Sequence, residues 1–70
     1  SPQDLLSAAD SISQQLFRLD PSLRKSALLK IKTKNQLLHA LVTSRLQDIE
    51  QSVALQAKVQ ARQGGDRQLV

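Results

Sequence analysis

Asp20-Pro21-Ser22-Leu23-Arg24-Lys25, followed by Ser26-Ala27-Leu28-Leu29-Lys30-Ile31-Lys32 and closing on Leu37-Leu38-His39-Ala40-Leu41-Val42, is the stretch that decides the fold. Asp20 suits a helix N-cap, because a carboxylate can accept from the free N–H groups of the first turn. Pro21 suits the first helical position, where its missing N–H costs nothing. A helix is therefore expected from residue 21. Ala27, Leu28, Ile31, Leu38, Val42, Leu46, Ile49 and Val53 fall on one side of it, with Leu23, Leu37 and Leu41 on an adjacent flank. That stripe is broader than the ~100° a surface helix usually needs, which points to two neighbours.

Upstream, Leu5, Ala9, Ile12, Leu16 and Leu19 recur at alternating spacings of four and three, the spacing of a helix seam. Leu6 and Phe17 widen the stripe, and Asp10, Ser11, Gln14 and Gln15 fill the other face. Ser1 as cap, Pro2 in the first turn and Asp4 three residues on mark the start. Pro21 pushes the residue before it out of the helical region, so this first helix should close near Arg18-Leu19 and the second should turn back on it.

The expected fold class is all-α. A short helix at about 3–18 and a long one at about 21–61 form a hairpin, which assembles as a homodimeric helical bundle. Val42-Thr43-Ser44 is locally weak, and Ser44 with Gln47 matches a capping box, so a slight kink is allowed near 43–44. Because neither Gly nor Pro occurs between residues 22 and 63, the long helix is read as continuous. Gly64-Gly65 is expected to end it. Residues 1–62 thus form a helical dimerisation module and 63–70 a flexible tail.

Composition bounds the function. Seventy residues make at most one domain. A chain this short buries only about 60% of its unfolded surface, so a lone core is marginal. There is no Cys, one His and one aromatic residue, Phe17, which leaves oligomerisation as the expected source of further stability. Hydrophobic residues are 40% of the chain, too many for simple disorder, yet no run is long enough to span a membrane. Ser1-Pro2-Gln3-Asp4 has neither the basic nor the apolar region of a signal peptide, and an intracellular protein is expected; the absence of a starting Met suggests an excised fragment, so targeting signals can lie outside it.

Site chemistry is sparse. His39 lies near the edge of the apolar side with no second ligand of the right type, so neither a metal nor a cofactor is expected. Asp48 and Glu50 point to different helix faces and do not form a catalytic carboxylate pair. A two-helix chain offers no cleft for nucleophilic chemistry, so no enzyme is expected. Asn35, inside the apolar stripe, is either a polar residue setting interface register or an amide at the rim.

The net charge of +4 is unevenly placed: Asp4 and Asp10 are the only charges before Arg18, whereas Arg18 to Arg45 holds seven basic residues and one acid. Arg24, Lys25, Lys30, Lys32 and Lys34 are the candidate nucleic-acid contacts, through phosphates. They are split over two sides, and nothing there suits bidentate base reading. The favoured reading is a solvated or partner-facing surface whose lysine stems cover apolar area. The dimer interface is assigned to Leu28, Ile31, Leu38, Leu41, Val42, Leu46, Ile49 and Val53, with Leu5, Ile12, Leu16 and Phe17 closing each side.

Leu16-Phe17-Arg18-Leu19-Asp20-Pro21, then Arg24, Leu28-Leu29-Lys30-Ile31-Lys32 and Leu37-Leu38, resembles the BESS motif of insect chromatin and transcription factors, some of them insulator proteins. The resemblance covers about residues 4–42. It implies a nuclear protein in which this segment, appended to a DNA-binding domain, associates with itself or with related helical domains. On that reading it binds protein, not DNA.

Overall fold

The computed structural model describes the backbone of residues 1–69 and the side chains of residues 1–62. Three helices follow one another: α1 (Pro2–Phe17), α2 (Pro21–Lys34) and α3 (Gln36–Leu69). No strand occurs among the described residues, so the chain is all-α as expected.

α1 begins as its sequence requires. The Ser1 hydroxyl accepts from the Asp4 N–H at 3.4 Å, and Pro2 occupies the first turn. After Phe17 the chain turns through Arg18-Leu19-Asp20, with the Leu19 N–H donating to the Leu16 carbonyl at 3.0 Å. Asp20 holds the N-cap position of α2, but its carboxylate makes no capping hydrogen bond. Its main-chain carbonyl accepts from the Arg24 N–H instead, at 2.9 Å.

The expected two-helix hairpin is corrected at Asn35. The long helix divides there, and no break occurs at 43–44. Asn35 has extended backbone angles, φ −156° and ψ 101°. Its side-chain Oδ1 accepts from the Leu38 N–H at 3.1 Å, while its own N–H still donates to the Ile31 carbonyl at 2.8 Å. One residue thus closes α2 and caps α3. An asparagine can do this without Gly or Pro, because its amide replaces the hydrogen bond that the broken helix loses.

At Val42-Thr43-Ser44 the opposite balance holds. Val42 is fully enclosed, and burial of such a side chain, about 1.5–3 kcal/mol, outweighs the few tenths lost to poor helix propensity.

Nor does Gly64-Gly65 stop α3, whose backbone is helical to Leu69, with no glycine in the left-handed region. Glycine in a helix interior costs about 1 kcal/mol relative to alanine, which weakens the helix without ending it. The side chains of the expected tail, 63–70, lie outside the described residues.

Short connections make successive helices antiparallel, so α1 and α3 run the same way with α2 reversed between them in sequence. Side-chain pairs agree: Asp10 meets Arg45, and further along both helices the Leu16 carbonyl and Glu50 share Arg24. The core lies mainly between α1 and α3 and consists of Ala9, Leu16, Val42 and Leu46. Ile12, Phe17, Ala27, Leu28, Ile31, Leu38 and Leu41 pack around it. α2 buries no residue fully and leans on the other two helices through Ala27, Leu28 and Ile31.

α3 is much longer than its neighbours. Its 34 residues span about 51 Å, whereas the 14 of α2 span about 21 Å. Every residue from 51 to 62 is exposed, so the helix projects beyond the bundle past Glu50. The radius of gyration, 16.1 Å, reflects this overhang, since a compact chain of this length would measure about 11 Å.

Candidate association surface

α1 and α3 meet through small residues. Ala9 and Ser13 are buried in the contact, and the Ser13 hydroxyl donates to the Ala9 carbonyl at 2.6 Å while reaching the Val42 carbonyl at 3.3 Å. A serine side chain that touches the main chain of the facing helix requires close approach, which a larger residue would prevent. Ser13 was not among the sequence-derived core positions. The 4-3 spacing Ala9, Ser13, Leu16 was available to find it, but a polar residue reads as solvent-facing until its hydroxyl is satisfied within its own helix. Thr43 lies near this contact in sequence, and its Oγ1 is buried without a hydrogen-bond partner.

Arg24 ties the three helices together at the corner. Its Nε donates to the Leu16 carbonyl at 3.1 Å, and one terminal nitrogen donates to the carbonyls of Phe17 at 2.9 Å and Leu19 at 3.4 Å. The other terminal nitrogen meets Glu50 of α3 at 3.3 Å, and the guanidinium lies 5.4 Å from the Phe17 ring centre. Carbonyls at a helix C-terminus have no partner within their own helix and carry partial negative charge, which a planar cationic fork satisfies well. Arg24 is thus engaged within the chain and not offered to phosphate.

A second cross-link joins Asp10 to the Arg45 Nε at 2.6 Å. The hydrogen bond that Arg45 donates to Asp10, and then the charge of that carboxylate, raise the Arg45 guanidinium above the ordinary arginine range. A raised folded-state value means that any stabilisation from Arg45 is fully present below the ordinary arginine value. It fades only as pH climbs beyond that range.

The residues assigned to a dimer interface separate into three groups. Leu16, Val42 and Leu46 are enclosed within one chain, so in this arrangement they form the intrachain core and present no surface to a partner. Leu5, Ile12, Phe17, Leu28, Ile31, Leu38, Leu41 and Ile49 are half-buried on its flanks. Val53 alone is freely exposed.

The structure adds other exposed apolar side chains: Leu6, Leu19, Leu23, Leu29, Leu37, Leu55 and Val59. Leu6 borders a groove between α1 and α3 that Ala9 and Leu41 floor and that Asp10, Arg45 and Asp48 edge. Leu55 and Val59, one turn apart and both exposed, form an apolar ridge on the overhang.

The remaining basic candidates, Lys25, Lys30, Lys32 and Lys34, are exposed on α2, and none joins an ion pair among the described residues. Among the described residues, no helix is long and apolar enough to cross a membrane.

Compared with known proteins, the chain matches no family model, no curated protein and no solved structure.

Proposed function

We propose that this chain is a protein–protein interaction module that associates with itself as a homodimer. One observation carries the reading. Among the described residues only four hydrophobic side chains are buried, whereas eight large ones are at least 39% exposed. A small domain with so little core draws stability from association, and large exposed apolar patches mark interaction sites. The interface lies on the flanks and the overhang, because Leu16, Val42 and Leu46 at the centre of the apolar stripe are buried within the chain.

The resemblance to the BESS motif supports the biological setting: a DNA-binding chromatin or transcription factor of the nucleus, in which this segment joins copies or pairs with related helical domains. The test is a thermal melt across a concentration series. A folded dimer melts at higher temperature as concentration rises, because association stabilises the folded state by mass action. A melting temperature that stays fixed over a hundredfold dilution range contradicts the reading.

The second reading is a small nucleic-acid-binding domain. It draws on Lys25, Lys30, Lys32 and Lys34 of α2, which are exposed and join no ion pair among the described residues. It requires duplex binding that weakens steeply with salt and survives replacement of Arg24 by another cation.

A further inference from the structure

The overhang of α3 and the groove between α1 and α3 match in length, spacing and charge, yet they cannot meet within one chain, because both belong to the same unbroken helix. Residues 51–62 span about 18 Å, close to the roughly 21 Å of α2 that sets the height of the bundle. On α3, Leu41, Arg45, Asp48, Ser52, Leu55 and Val59 recur at spacings of four, three, four, three and four. This is the seam spacing of paired helices. The first three border the groove, and the last two are the exposed apolar pair of the overhang. One helix face therefore passes from bordering α1 to standing open midway along its length.

We infer that two copies pair antiparallel along this face, each laying its Leu55–Val59 ridge into the α1–α3 groove of the other. The inference rests on the self-association proposed above and names its surface. Charge selects the direction. Residues 51–62 carry Lys58 and Arg62 and no acid. The groove carries Asp10, Arg45 and Asp48; with Asp10 paired to Arg45, Asp48 leaves it one net negative charge. Antiparallel pairing brings each basic tip beside its partner's acidic groove. Parallel pairing would set Lys58 against Lys58 and Asp48 against Asp48, which is unfavourable.

With the two-fold axis near residue 50, Val59 of one copy comes level with Leu41 and Leu6 of the other. The two Val59 side chains then lie about 27 Å apart along the helices.

The absence of cysteine makes the test direct. Leu6→Cys and Val59→Cys replace side chains that are 53% and 47% exposed, so both variants should keep the fold. Equimolar mixing under mild oxidation should give a mixed Leu6→Cys/Val59→Cys disulfide, with little cross-linking of either variant alone, because a disulfide needs Cα atoms within about 7 Å. Self-cross-linking of Val59→Cys would overturn the antiparallel arrangement. A protein that is dimeric by sedimentation yet forms no mixed disulfide would overturn the surface while leaving self-association standing. A monomer would overturn both.

Discussion

Arg24 and Glu50 stand 3.3 Å apart where the corner between α1 and α2 meets α3, and the same guanidinium donates to the carbonyls of Leu16 and Phe17 at the end of α1. The pair fixes the level at which α3 leaves the bundle. The two partners contribute unequally. Arg24→Ala should destabilise the fold by about 2–3 kcal/mol, because it strips charged donors from carbonyls that remain partly buried. Arg24→Lys should recover only part of this, since an ammonium cannot span the carbonyls as a fork does. Glu50→Gln should cost no more than about 1 kcal/mol, as its side chain is half exposed. Chemical denaturation of the three variants ranks them. Equal losses at Arg24 and Glu50 would show that the ion pair, and not the carbonyl clamp, is the stabilising element.

Asn35 divides the helices by its cap. Asn35→Ala removes the bond to the Leu38 N–H and favours one continuous helix across α2 and α3. Stability should fall by about 1 kcal/mol while helicity measured by circular dichroism stays level or rises. Loss of helicity in step with stability would mean that Asn35 supports α3 in some other way.

Thr43 carries a buried hydroxyl with no partner. Thr43→Val keeps the shape and removes the unsatisfied group, so it should stabilise by about 1 kcal/mol. A lower melting temperature would show that the hydroxyl is satisfied by water.

Core and interface should respond differently to the same chemistry. Val42→Asp places a carboxylate at a fully enclosed position and should abolish the helical fold, at a cost of several kcal/mol. Leu55→Asp with Val59→Asp alters exposed positions. It should convert dimer to monomer and leave the bundle formed, as read by sedimentation and circular dichroism together. A doubly substituted protein that remains dimeric would move the interface off the overhang.

Much of this architecture is legible in the sequence. Ser1-Pro2 and Asp20-Pro21 announce their helices, and the apolar stripes through Leu16 and through Val42 to Leu46 supply the core. What escaped reading depends on local exchange of hydrogen bonds. Asn35 looks like any polar residue in a helix until its amide is seen to replace the hydrogen bond that the break removes. Ser13 looks solvent-facing until its hydroxyl is satisfied at the Ala9 carbonyl. The breadth of the stripe on 21–53 points to two neighbours. The division at Asn35 folds that stripe back on itself, so α2 and α3 cover part of one another, and Val42 and Leu46 become interior to a single copy. The groove and the overhang are not separable in the sequence, because the seam spacing from Leu41 to Val59 is unbroken and only the fold shows where α1 covers it.

Sedimentation equilibrium of the unaltered chain, across micromolar to millimolar concentration, tests the central claim most directly. Self-association through the exposed faces predicts a mass that rises to twice the 7.7 kDa of one chain and stops there. A mass that remains 7.7 kDa over the whole range, with the helical signal intact, would contradict it.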